Sequence, residues 1–566
     1  MTRTRSATAL VSLAVALAMC SASCLAEGDV QSETRYLADE ADLPEIAEKY
    51  GLDEEALERL QRAHHHLAEH QAQPKPDPVK ENGEVFKGWD KPDAALFFTG
   101  EQIGYLEPCG CAGLENQKGG LKRRHTLVKT LRDEWGWPLA LMDAGEQVRY
   151  TGPQAQIKYR QTIESLVEIG YQAVGFGPRD LRTDVLGLAI NLEEQDNPLT
   201  CANVGLLSFD SGMTQPWRVI ELGTGRNAVR VGVTAVLGEK ALAEVPPNDD
   251  LVRRSPIEAL EDLQATIREA RCDQNVLMVY GDGEEASELA RRFDLFDWTV
   301  AARGSDEPPH VSSAISGTTR GGGTQLIEVG HKGMYAVVIG LYRNPEARGA
   351  QAPGEGWIAR YQKTPMDHRW KDSPEMQARL VSYQGELETL EWEGLGLKPT
   401  PHPTANEFAG SAECADCHTA AWEVFIKTPH FHTTETLVAL QPARHFDPEC
   451  IACHAVGWEP QKYFPFASGW DGYRETPQMF GQGCENCHGP AARHVAAEMG
   501  DIDVTEEEEI ALRQALHLEV GENEGNMAGE ELGPAVNNCL GCHDLDNSPD
   551  FDFKKYWPDV AHEGVD

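Results

Sequence analysis

Between Cys414 and His543 the pattern C-x-x-C-H occurs four times: Cys414-Ala-Asp-Cys417-His418, Cys450-Ile-Ala-Cys453-His454, Cys484-Glu-Asn-Cys487-His488 and Cys539-Leu-Gly-Cys542-His543. Two thiols at this spacing can add to the two vinyl groups of one porphyrin, and the adjacent His then lies under the iron as proximal ligand. The chain has 14 Cys and 19 His in 566 residues. At those frequencies the pattern arises by chance on the order of 0.01 times per chain. Disulfides or zinc sites would not require His at the fifth position every time. The motifs therefore predict four covalently bound c-type haems. Residues 406–566 show little regular apolar periodicity, so they are expected to form a mainly α, haem-packed domain with the macrocycles in contact, as an electron wire.

A six-coordinate haem needs a second axial ligand, commonly His or Met. His430, His494 and His562 are the leading distal candidates, with His432 and His445 in addition. Met479, Met499 and Met527 stand in no convincing ligand context. Phe408-Ala-Gly-Ser411 before Cys414, then Trp422, Thr428-Pro-His430, Pro448 before Cys450, Gly457, Gly483 before Cys484, Gly489-Pro490 and His494 resemble the nitrifier-type tetrahaem cytochrome c family. The resemblance covers residues 407–562. It implies that His494 pairs with His418, His430 with His488 and His562 with His543. It also implies that the second haem lacks a protein ligand on its distal side, a vacancy that His432 or His445 would fill.

Residues 92–370 have a different pattern. Apolar runs at 95–99, 139–143, 173–176, 199–202, 229–234, 276–280 and 298–302 alternate with helical spacing, which predicts an α/β layered domain. Residues 324–329 and 335–341 read as two strands paired with each other. Leu96-Phe-Phe-Thr99-Gly-Glu101, Gly119-Gly120, Arg123-Arg124, Asp143-Ala-Gly-Glu146, Gly177-Pro-Arg179-Asp180 and Ala202-Asn203 resemble landmarks of the secreted five-prime-nucleotidase family of metallophosphoesterases. Two-metal hydrolysis needs carboxylates, an Asn and several His around both ions. On that correspondence Ile103, Pro178 and Arg179 stand where metal-binding residues belong. Glu101, Asp143, Glu146 and Asp180 remain as a vestigial oxygen set, so the resemblance implies a catalytically degenerate domain. Cys109-Gly-Cys111 follows the first strand and Cys201 lies near the end of another. Ligands in such folds bind beyond the carboxyl ends of strands. These thiols are candidates for a redox site or for an additional soft metal, with inert thiols as the alternative.

Residues 1–26 read as an export signal, with Arg3 and Arg5 ahead of a short apolar stretch. Cys20 and Cys24 sit in imperfect lipoprotein contexts, so membrane association is expected only if one is lipidated. The expected location is periplasmic or otherwise extracytoplasmic. Residues 27–91 form an acidic helical segment and linker, in which His66 and His70 are one turn apart, and 371–405 a helix and Pro-rich linker. The net charge of −41 repels phosphate backbones and argues against nucleic acid as partner. From Asn406 onward 30 acidic residues face 8 basic ones, a balance of −22, which suits redox proteins with a cationic docking face. The leading expectation is an exported multihaem cytochrome for electron transfer. The alternatives are a multihaem oxidoreductase acting on a small nitrogen or sulfur compound at an open haem, and a metal-dependent nucleotidase-like hydrolase.

Overall fold

The computed structural model describes residues 37–108, 117–192, 197–320, 323–345, 356–521, 532–544, 547–548 and 551–562. Among these no helix is long and apolar enough to cross a membrane.

Two sheets form the nucleotidase-like part. The first has five strands in the order Trp357–Pro365, Tyr335–Arg343, Ala94–Thr99, Leu139–Asp143 and Ala173–Val174. Ala94–Thr99 pairs in parallel with Leu139–Asp143, which sets Thr99 beside Asp143. Both strands are buried at every position, as expected where both faces of a sheet are covered. The second sheet has six strands in the order Ser313–Ala314, Gln325–Glu328, Trp298–Ala301, Gln274–Tyr280, Val229–Leu237 and Arg218–Leu222. Its side chains alternate. Val231, Val233, Ala235, Val276, Met278 and Tyr280 join the core shared with the first sheet. Val236, Leu277 and Val279 face helices Pro256–Ala270 and Gly283–Phe293. The period of two thus builds two stacked sheets with helices outside.

Three expectations change. The strands near 324–329 and 335–341 do not pair with each other: Gln325–Glu328 lies beside Trp298–Ala301, and Tyr335–Arg343 beside Ala94–Thr99. The short connection carries the chain from one sheet to the other. Residues 199–202 make only single bridges, Leu199 to Val174 and Thr200 to Gln215. Finally, the stretch before Asp90 is packed. Phe86 is buried edge-on to Trp89 and Trp137, so aromatic burial outweighs the Pro and Gly punctuation that suggested a linker.

The N-terminal helices Leu43–Tyr50 and Glu54–Ala72 belong to the core of the haem-motif region. Gly51, at φ 79°, ends the first, and the Asp53 carboxylate caps the second by accepting from Ala56 N. Leu43, Ala47, Ala56 and Leu60 pack with Phe431, Leu437, Val438, Ile451 and Phe480. Arg59 donates to the Glu435 carboxylate at 3.0 Å, with both residues buried, and its guanidinium lies 3.6 Å over the Phe480 ring. Helix Pro374–Gly394 bridges the two parts. Leu380, Tyr383 and Leu387 pack on Ile157, while Gln384 reaches Asp447 at 2.9 Å.

Candidate functional site

Each C-x-x-C-H motif lies on or just after a short helix. Ser411–Ala415, Pro448–His454, Cys484–His488 and Pro534–Cys539 carry motifs one to four. Asp447 caps the second helix, accepting from Glu449 N at 3.0 Å. Glu485, inside the third motif, is buried and accepts backbone N–H from Ala409, Gly410 and Ala491. It thereby ties the approach to the first motif onto the third. The position is variable in the motif, which is why spacing alone misses it.

The proximal imidazoles are oriented from behind. Nδ1 of His454 donates to Thr433 O and Nδ1 of His488 to Leu516 O, both at 2.7 Å. A carbonyl can only accept, so Nδ1 carries the proton and Nε2 is the nitrogen whose lone pair would ligate iron. Nδ1 of His543 lies 3.0 Å from Ser548 Oγ.

His430 and His543 have ring centroids 6.1 Å apart, and His488 and His562 5.9 Å apart. Two imidazoles sharing one metal through bonds of about 2 Å place their centroids roughly 6 Å apart. Both spacings fit one iron between two rings, so the residues present fit c-type haem. The partners are exchanged relative to those the resemblance implied: His430 faces the fourth motif and His562 the third. The one-turn helix Pro429–His432 is held by Gln482 N bonding to His430 O, and helix Phe553–Val560 packs beside Thr419–Phe425. These placements bring the two distal candidates to different motifs than the resemblance implies. His494 lies within Coulombic reach of His418. His432 and His445 are turned toward the N-terminal helices. His432 is 5.7 Å from His66, whose Nε2 is 2.8 Å from that of His70. The His445 ring lies 4.4 Å from Tyr50. Burial lowers the His432 and His445 pKa values to about 4 and about 3.

The motif thiols give an order to the four sites. Cys414 lies close to Cys484, Cys487 is within reach of Cys539 and Cys542, and Cys542 lies close to Cys453. The sequence of neighbours is one, three, four, two.

At the strand ends of the nucleotidase-like part, every retained carboxylate has a partner. Asp143 accepts from Thr99 Oγ1 at 2.5 Å, Gln147 Nε2 at 2.7 Å and Gly145 N at 2.9 Å. Asp180 accepts backbone N–H from Glu146, Gln147 and Gly177 at 2.7–2.9 Å. Glu146 pairs with Arg179 at 2.7 Å, so a guanidinium supplies the cation there. Glu101 accepts from Tyr280 OH at 3.2 Å. Glu101, Ile103 and Glu146 all have positive φ, at 46°, 40° and 64°, which is strained backbone for side chains of this size. Burial raises Glu101 and Glu146 to about 7 and raises Asp180 as well. Tyr280 and Gln147 were not singled out by sequence, because neither is a metal ligand type in this setting. Among the described residues no group of three or more His, Cys, Asp or Glu is arranged to hold a metal ion. Cys201 is buried, its thiol 3.3 Å from Asn203 Oδ1, and burial pushes it up to about 11. That environment keeps it protonated. Cys109 and Cys111 lie outside the described residues.

The cytochrome c554 and c-prime family model matches residues 413–489, a range holding three of the four motifs. A curated cytochrome c-554 of Nitrosomonas europaea is 30% identical over 96 residues, covering 15% of this chain and 38% of that protein. Snake venom 5'-nucleotidase of Gloydius brevicauda is 27% identical over 156 residues, covering 27% of this chain and 26% of that protein. The chain joins a nucleotidase-like part to a cytochrome c554-like part. Among solved structures it is similar to a 5'-nucleotidase precursor from Thermus thermophilus (TM-score 0.42, 17% identity, 52% of this chain and 59% of that one). It is also similar to the sulfate thiohydrolase SoxB of the same species (TM-score 0.43, 11% identity, 54% and 62%).

Proposed function

We propose that this chain is an exported tetrahaem cytochrome that transfers electrons, fused to a phosphoesterase-like domain without dinuclear metal chemistry. The carrying observation is the pair of imidazole spacings, 6.1 and 5.9 Å, each joining a C-x-x-C-H His to a distal His. His418, His454, His488 and His543 would hold iron from the proximal side. His494, His430 and His562 would close the far side of the first, fourth and third sites. Bound haem supplies one-electron redox chemistry, and bis-His ligation favours lower potentials than His/Met. Intact mass of the mature holoprotein should show four covalent haems. Fewer than four would sink the reading.

Arg179 in place of a metal ligand supports the degenerate reading. Phosphate release from nucleotides with added manganese or zinc should stay below ~1 per second; turnover above that, abolished by Asp143→Asn, would refute it. A second reading, small-molecule chemistry at an open haem, is favoured by the orientation of His432 and His445 toward the N-terminal helices. Nitric oxide binding to one haem of four supports it; no binding removes it. For Cys109 and Cys111 we propose a thiol redox site, with a soft metal as the rival. Full alkylation without reductant or chelator would leave them as two free thiols and end both ideas.

A further inference from the structure

The helix of the second motif meets the nucleotidase-like part. Asp447, which caps its helix, is buried and accepts from Gln154 Nε2 at 2.7 Å and Gln384 Nε2 at 2.9 Å. The next charged residue, Glu449, receives Lys158 Nζ at 2.7 Å. Lys158 belongs to helix Pro153–Ile169, is 8% exposed and lies 5.6 Å from the Tyr383 ring centroid. Its charge is within Coulombic reach of Cys450, the first thioether position of the second haem. Tyr150 and Tyr463 hydroxyls meet at 2.9 Å nearby, and Arg444 pairs with Glu107 across the same junction.

We propose that Lys158 and Glu449 tune the reduction potential of the haem carried by Cys450, Cys453 and His454, so that the fused domain sets the energy of one particular haem. The proposal rests on the haem reading above. Reducing ferric to ferrous haem adds one electron, so a fixed positive charge nearby favours the reduced form and a negative charge opposes it. Away from water such charges act more strongly than at a surface, and charge and burial around a centre are known levers on its potential. Lys158 reaches the site from the fused domain, whereas Glu449 is part of the motif helix itself. Asp447 and Arg149 also face this pair and stay constant in the test.

The test is potentiometric titration of the full-length holoprotein, first shown by intact mass to carry four haems; a lower count defeats the haem reading and is seen before any potential is measured. Lys158→Met should lower one of the four potentials and leave three in place. Glu449→Gln should raise that same potential. The double variant should return it close to wild type. His454→Met identifies the component, since Met ligation raises its potential. Shifts of equal sign in the two single variants, no shift in either, or movement of a different haem would each overturn the proposal. If Lys158→Met does not fold, Glu449→Gln decides alone: a rise supports it, and a fall or no change ends it.

Discussion

Glu101 shows how far burial can take a single carboxyl. It sits beside Tyr280 on a left-handed backbone position, and burial raises it from 4.5 to about 7. A carboxyl whose folded pKa is raised binds its proton more tightly when folded, so its contribution to stability is greatest below the unfolded pKa. That contribution falls as pH rises from about 4.5 through about 7. Glu101→Gln should flatten this part of the stability profile, read as denaturation midpoints between pH 5 and 8. An unchanged slope would show that Glu101 is not the group responsible. Asp180, held by three backbone N–H groups, is a different case. Asp180→Ala leaves those donors buried without an acceptor, at about 1–3 kcal/mol each before relaxation. A midpoint within error of wild type would contradict that placement.

At the scale of elements, Glu54–Ala72 is tied to the C-terminal part by a buried ion pair. Arg59 and Glu435 are 376 residues apart in sequence and form a buried pair. Removing one partner leaves a buried charge uncompensated, which costs about 3–5 kcal/mol. Arg59→Met should therefore destabilise the haem region strongly, and adding Glu435→Gln should recover part of the loss in a double-mutant cycle. Additive effects would mean the two side chains are not coupled. Element identity in the nucleotidase-like part was legible because its strands are short apolar runs between helical spacings. Residues 357–365 were not, since that edge strand is only partly buried and lacks apolar alternation. The haem motifs declare themselves through covalent chemistry at fixed spacing. Which candidate His meets which motif does not, because His430 and His562 lie beside His543 and His488 through tertiary packing rather than through any local interval. The packing of the N-terminal helices onto residues 431–480 was hidden for the same reason.

Over the whole molecule the charge is strongly negative and gathered toward the C-terminal third. Glu506–Ala515 begins with four Glu, of which Glu506, Glu507 and Glu508 are exposed, and Thr505 and Glu508 form its capping box. Acids there suit a helix start, and they also add to a field that attracts cations over about a Debye length. Reduction by a basic donor protein should slow as salt rises from about 0.05 to about 0.5 M, while reduction by a neutral small molecule should not. Equal salt dependence for both would argue against electrostatic docking.

The N-terminal helices carry an apolar stripe whose partners arrive more than 350 residues later in synthesis. Leu43, Ala47, Ala56 and Leu60 therefore have nothing to cover them while most of the chain is still being made. Contacts this far apart in sequence form slowly, because a very long loop must close first. The haem region can close only after the nucleotidase-like part lying between its two pieces has been made. Residues 37–405 produced alone would keep the stripe uncovered and should aggregate or bind a chaperone, whereas residues 74–405 should not.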